Sequence, residues 1–177
     1  MMNIQKFLDL SAGKWFSQRT NYLLNGKADK VDNSKADLTV ELLAKDDFRV
    51  VELCQANKID PNLSLGGAMQ SWDNSVDWGK PKQQGASAIV LIPDPENDRT
   101  GKLLRQGDTN IKGRYILGAD EALTLIIETD NLYAEERQWF ASDNLRLRTT
   151  IVKNSHGMEQ TSFYSEIRKA PPKKDEG

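Results

Sequence analysis

The chain of 177 residues holds one cysteine, Cys54, and one histidine, His156. A single thiol excludes an internal disulfide and suits a reducing compartment. The role expected of Cys54 is that of a small buried apolar residue on a helix, not a reactive thiol. His156 lies in the turn-like run Asn154, Ser155, His156, Gly157. Any histidine-based metal site or Ser-His-Asp triad would rest on that one loop residue, so no metal is expected and a solvated turn histidine is. Charge of one sign is missing too: 24 basic and 26 acidic residues leave a net charge of −2, with no field to gather nucleic acid or anionic lipid. No run approaches the roughly 20 apolar residues of a membrane-spanning helix. The opening residues lack the basic and apolar segments of a secretion signal, so a cytosolic protein is expected. Repeats at solenoid periods and low-complexity tracts are absent. Gly66-Gly67 and the scattered glycines lack phosphate-loop or dinucleotide spacing, which argues against a nucleotide enzyme.

What is present, 38% hydrophobic and 28% charged residues, is enough for one core. We read residues 1–169 as a single domain and the proline- and charge-rich stretch 170–177 as a disordered tail. Ile4, Phe7 and Leu8 at helical spacing behind Asn3 predict a short first helix. Alternation of β-branched or aromatic residues with polar ones predicts strands near 14–24, 36–44, 66–73, 86–92, 101–107, 111–117, 122–129, 133–141, 144–153 and 160–169. One further helix, near 48–57, opens at Asp46 and Asp47 with Phe48, Val51 and Cys54 toward one face, and Pro61 lies beyond its end. Short connections favour antiparallel neighbours. The expected fold is all-β: an antiparallel barrel of about ten strands with one or two helices.

Two constellations bear on function. Gly13-Lys14-Trp15 precedes the first strand and Arg168 ends the last, a pairing that resembles the lipocalin arrangement, in which an arginine stacks over the tryptophan that closes the barrel floor. On the strands flanking Ser142 and Asp143, if Phe140 lies opposite Asn144 across the turn, parity puts Glu136 and Gln138 on one face with Arg146, Arg148 and Thr150. Ser162, Tyr164, Glu166 and Arg168 share parity on the last strand. The other face carries Trp139, Leu145, Leu147, Ile151, Phe163 and Ile167. Periodicity alone favours the charged face toward water and the apolar face as core. The reverse places Glu136, Arg146 and Arg148 inside the barrel, which is costly unless they pair or meet a charged ligand. Trp72 and Trp78 are placed either to pack in the core or to stack on a flat conjugated ligand.

Several stretches resemble the S-type phycobiliprotein bilin lyases: Ser11-Ala12-Gly13-Lys14-Trp15-Phe16-Ser17-Gln18-Arg19-Thr20, Glu52-Leu53-Cys54, Gly66-Gly67-Ala68 and Ser71-Trp72-Asp73. Glu136-Arg137-Gln138-Trp139-Phe140-Ala141-Ser142-Asp143-Asn144-Leu145-Arg146-Leu147-Arg148-Thr149 is the most specific of them. The likeness spans about residues 2–169, with Asp143 where the family usually has proline. It implies a lipocalin-like (calycin) barrel that binds phycocyanobilin or a related bilin and attaches it through a thioether to a cysteine of an apo phycobiliprotein subunit. It also turns the charged face inward. By this likeness Arg146, Arg148 and Arg19 would hold the propionates, Glu136 the pyrrole nitrogens, and Trp72 and Trp78 the conjugated system. Glu136 and Arg146 are the expected catalytic residues, and Glu166, by parity, joins the bilin-binding set. The nucleophile belongs to the acceptor, and no cofactor is needed because the bilin is the substrate. With that face inward, Leu145, Leu147 and Ile151 need cover from the helix near 48–57 or from a second subunit, giving a homodimer or a heterodimer with a related lyase. The compartment implied is the cyanobacterial cytosol or the plastid stroma. The alternative activity is passive carriage of a bilin or fatty-acid-like ligand without transfer.

Overall fold

The computed structural model describes residues 1–24, 30–107 and 112–169; the tail expected at 170–177 lies outside them. Among the described residues the order is helix α1 (Ile4–Ser11), β1 (Gly13–Leu24), β2 (Lys30–Leu43), helix α2 (Phe48–Ala56), a 3-10 turn (Pro61–Leu63), β3 (Gly67–Asp73), β4 (Gln84–Asp94) and β5 (Asn97–Arg105). There follow β6 (Lys112–Leu117), β7 (Leu123–Glu128), β8 (Leu132–Ser142), β9 (Leu145–Asn154) and β10 (Glu159–Arg168). Each strand pairs antiparallel with its sequence neighbours, and β1 also pairs with β10, so the ten strands close into a barrel. Closure removes the unpaired edges an open sheet would present.

The predicted strands are all present, with differences at two hairpins. β2 begins at Lys30 rather than near 36. Its first half, Lys30 to Lys35, is polar apart from the exposed Val31 because it rises at the barrel mouth, so it carries no hydrophobic alternation to read. β4 and β5 run to Asp94 and from Asn97. Pro93 reads as a breaker, yet it sits where the ladder shifts register, a place where a missing backbone donor is tolerated.

α1 starts where the Asn3 side chain accepts from the Lys6 backbone N–H, 2.8 Å away, satisfying one of the helix's free donors. Its Ile4, Phe7 and Leu8 pack on Leu91, Leu103, Tyr115, Leu117 and Leu123 and plug one end of the barrel. Trp15, Leu38, Val40 and Ala68 form the next layer.

α2 is capped by Asp47, whose side chain accepts from the Arg49 backbone N–H. The Arg49 guanidinium also hydrogen-bonds that carboxyl, which is pulled down to about 2. The buried stripe of α2 is Val50 and Cys54, one helical turn apart, set against Ala88, Val90, Ile92 and Leu104 on the outer face of β4 and β5. Burial of Val50 there contributes roughly 1.5–3 kcal/mol. Because α1 fills the inside of β4 and α2 covers its outside, Ala88 to Ile92 reads as an unbroken apolar run.

Two expectations are corrected here. Phe48 does not belong to the packed face of α2; it stands 73% exposed. Nor does α2 cover Leu145, Leu147 and Ile151, since it lies on β4 and β5. Cys54 is fully buried, as the composition suggested, and His156 is exposed in the β9–β10 turn.

Candidate functional site

The inward faces of β8, β9, β10 and β1 form three rungs. Nearest the α1 plug, Phe140 pairs with Arg146, Arg146 with Glu166, and Glu166 with Ser17. The second rung runs Gln138, Arg148, Tyr164, Arg19, and the third Glu136, Thr150, Ser162, Asn21. The charged face is therefore the interior: Gln138, Arg146, Arg148, Ser162 and Glu166 are all buried. This overturns what periodicity alone favours. In a sealed sheet the face with more charge belongs outside, but this barrel is closed by apolar groups only at its lower end, leaving a cleft above that charge can line.

Glu166, on the first rung, is the hub of the ionic contacts. It accepts from Arg146 Nε at 3.1 Å and from Arg148 Nη2 at 3.5 Å. Arg148 Nε stands 3.2 Å from the same carboxylate, at ion-pair distance but without hydrogen-bond alignment. Arg148 Nη1 reaches both Glu136 oxygens at 3.4 Å, and Gln138 Nε2 donates to Glu136 as well. The Arg148 guanidinium lies 3.9 Å over the Tyr164 ring. Burial pushes Arg148 down, but Glu136 and Glu166 outweigh it and its proton is held more tightly than usual. For Arg146 burial prevails over the pull of Glu166, so its guanidinium sits below its ordinary value. An arginine so placed stays charged, and the cost of burying it is relieved by any further anion.

Among the described residues two guanidinium donors lack an aligned acceptor, and since Arg148 Nε still sits at ion-pair distance from Glu166, Arg146 Nη2 is the one left for such an anion. Arg146 Nη2 is buried without a hydrogen-bond partner, and Arg146 lines the inner lobe of the cleft. That lobe, about 330 Å³, is walled by α1 side chains such as Phe7 and Leu8, by aliphatic residues of β5 and β7, and by Glu136 and Gln138. A second, more polar lobe of about 480 Å³ is walled by Arg19, Lys35, Lys80 and Arg148. Gln70, Trp72, Arg105 and Tyr164 line both, so the lobes adjoin. Spaces of this size suit a small-molecule ligand.

The structure brings together most of the predicted residues. Glu136, Arg146, Arg148 and Glu166 form one ionic cluster. Arg19 joins their second rung, with its Nε donating to Ser34 Oγ at 3.1 Å, and has no carboxylate partner among the described residues. Trp72 stands at the cleft, 40% exposed. Trp78 is not brought to it: it is 91% exposed on the loop between β3 and β4 and lines neither lobe. Gln70 and Arg105 escaped the sequence reading. Gln70 shares parity with Trp72, which was signal enough to find it; Arg105 ends a strand whose apolar residues gave no reason to look for a charge inside.

The floor is closed as the Gly-x-Trp motif suggested. Arg168 lies 4.2 Å over the buried Trp15 ring and donates to the carbonyls of Leu10, Ala12 and Asp143, satisfying the open C-terminal end of α1. Asp143 takes part only through its backbone carbonyl, which proline would offer equally.

A closed antiparallel meander, plugged at one end by a short helix and an arginine on a tryptophan and open at the other onto an arginine-lined cleft, is a lipocalin-like ligand-binding barrel of the calycin type. The sequence model of one family, described as CpeS-like protein, matches residues 3–169. The chain belongs to the CpeS-like family. It is 45% identical over 171 residues to "Chromophore lyase CpcS/CpeS" of Thermosynechococcus vestitus, covering 94% of this chain and 93% of that one. It is 36% identical to "Phycocyanobilin lyase subunit CpcS" of Picosynechococcus, covering 93% and 85%. Among solved structures, the S-type phycobiliprotein lyase CPES from Guillardia theta superposes with a TM-score of 0.84 at 28% identity, covering 96% of this chain and 94% of that one.

Proposed function

We propose that this protein is a phycobiliprotein chromophore lyase: it binds phycocyanobilin or a related bilin and attaches it through a thioether to a cysteine of an apo phycobiliprotein subunit. Membership of a family whose relatives bear lyase names supports the reaction. The observation that carries the site is the buried, unpartnered Arg146 Nη2 on the cleft wall, a charge-bearing donor waiting for an acceptor.

The bilin's two propionates match guanidinium forks, so Arg146 takes one and Arg148 or Arg19 the other. Glu136, at the edge of the cluster with a side chain 26% exposed, is placed for the pyrrole nitrogens. Trp72 flanks the conjugated system. A protonated bilin has a more electrophilic ring-A ethylidene. The acceptor thiolate adds to its exocyclic carbon, the sulfur–carbon bond forms as the double bond opens, and a proton ends on the ring carbon. The barrel contributes orientation and proton supply. Cys54 is not the nucleophile of this reading: burial pushes its thiol up, and it sits under α2 outside the barrel wall.

We infer assembly through the outer faces of β9 and β10. Leu145 pairs with Ile167, which is 53% exposed, and Phe163 and Leu147 extend the apolar strip. The assembly is a homodimer or a heterodimer with a related lyase subunit, and Ile167→Glu should shift the sedimentation coefficient to that of the monomer. The compartment follows the substrates: cyanobacterial cytosol or plastid stroma.

The test mixes the purified protein with phycocyanobilin and an apo β-subunit, then looks for bilin fluorescence on that subunit after denaturing electrophoresis. A cysteine-dependent adduct of single stereochemistry above the spontaneous background is expected. A coloured complex that never transfers would establish a passive carrier instead.

A further inference from the structure

Trp72 and Gly85 are direct partners in the β3–β4 ladder, and both belong to inward-facing rows. The Trp72 ring crosses to the neighbouring strand and lies on Gly85: a β-carbon there would fall 2.2 Å from Cζ2 and 2.7 Å from Cε2 and Cη2 of the indole. Gly85 has an ordinary strand conformation, since no positive φ accompanies it. Its lack of a side chain therefore answers no backbone demand. In a strand interior glycine weakens the element, unless another group must approach the backbone closely. Here that group is the indole. Seated on Gly85, it borders both lobes of the cleft at their junction with Gln70, Arg105 and Tyr164.

We propose that Gly85 is a positioning residue for the bilin: it is the seat that holds the Trp72 indole flat against the β4 wall at the junction of the two lobes, so that one face of the ring is presented to the conjugated ligand and the passage between the lobes stays open. Any β-carbon at this position lifts the indole into the cleft. The proposal rests on the bilin reading for its ligand, but the seat itself is a property of the free protein. Tightening an aromatic contact through a neighbouring glycine also has a purely structural use, the covering of a bare strand position by a ring. The two uses differ in what they predict for ligand binding.

The experiment is a cycle of Gly85→Ala, Trp72→Ala and the double variant. In the bilin-free protein, near-ultraviolet circular dichroism should change on Gly85→Ala, and that change should vanish in the Trp72→Ala background. With phycocyanobilin titrated in, Gly85→Ala should weaken capture about tenfold and alter the visible circular dichroism of the bound pigment. The double variant should bind no worse than Trp72→Ala alone. If Gly85→Ala loses the fold through the collision, the double variant should recover it. An unchanged free-protein spectrum overturns the seat. A changed spectrum with undiminished pigment capture leaves ring covering as its whole purpose and overturns the positioning role, as do losses that simply multiply in the double variant. A parent protein that captures no bilin in the same titration overturns the lyase reading, and is told apart from these by the parent's own curve.

Discussion

Arg168 and Arg146 lie over the same tryptophan, at 4.2 Å and 5.2 Å from the Trp15 ring, and do different things. Arg168 faces the closed end, where its donors meet the carbonyls of Leu10, Ala12 and Asp143. Arg146 faces the cleft, where Glu166 takes Nε and Nη2 is left buried without a partner. The residue type, the aromatic support and the neighbouring strands are shared. What separates the two arginines is whether the protein itself completes their hydrogen bonds, and it is on this difference that the proposed ligand-binding role of Arg146 rests. The same contrast divides the two ends of the barrel: the floor is filled by its own side chains, and the described residues leave a cleft open at the mouth.

The contrast can be broken most severely at Glu166. Glu166→Ala leaves Arg146 and Arg148 buried around a missing carboxylate, and should cost about 3–5 kcal/mol in urea denaturation. A loss below about 1 kcal/mol would mean that water or rearranged side chains complete the cluster already. At the exposed edge of the cluster, Glu136→Gln should slow adduct formation about a hundredfold while stability changes little, measured by the rate of fluorescence gain at saturating bilin. An unchanged rate would remove Glu136 from proton supply.

The two arginines themselves form a paired test. Arg168→Ala should lower stability by about 1.5–3 kcal/mol with bilin affinity intact. Arg146→Ala should weaken bilin capture at least about tenfold with the barrel still folded. Exchange of these phenotypes would show that satisfied and unsatisfied donors do not mark structure and binding here. The mildest effect belongs to the floor. Tyr115, buried and donating to the Asp98 carbonyl, is pushed up to about 12 by burial, with the Asp98 and Asp94 carboxylates adding to it. Because its folded value lies above the unfolded value of about 10, its contribution is complete below pH 10 and disappears as pH rises toward about 12. Tyr115→Phe should flatten the decline in stability across that window, read as thermal midpoint against pH.

Much of this molecule was legible before folding. Asn3 and Asp47 announced their helices because a side-chain cap is a local bond. Strand alternation located most of the ten strands because side-chain direction has a period of two, while β4 showed itself as a short apolar run between turn signals and the first half of β2 escaped. Parity grouped Glu136 with Arg146 and Arg148 on the assumption that Phe140 lies opposite Asn144; the observed partner is Arg146, two residues on, so the shared face survives, and Glu166 joins it through its pairing with Arg146. Where local signals were silent, the reading failed. Phe48 looked like part of a buried helical stripe, but only the position of α2 on β4 and β5 decided which stripe was covered. Trp78 shares composition and neighbourhood with Trp72, and the fold of one loop sends it to solvent.

The class of fold, the strand-by-strand parity of the charged residues and the family follow from periodicity, capping and motif identity along the chain, whereas the partners in each rung follow from register, which pairs Phe140 with Arg146 rather than Asn144. Which face of the barrel is the inside is settled only once the barrel closes. Both faces alternate equally well, and the choice depends on closure of β1 against β10 and on α1 filling one end alone. The same closure left Arg146 Nη2 buried without a hydrogen-bond partner among the described residues, whereas the register of β3 on β4 alone set the Trp72 ring against Gly85.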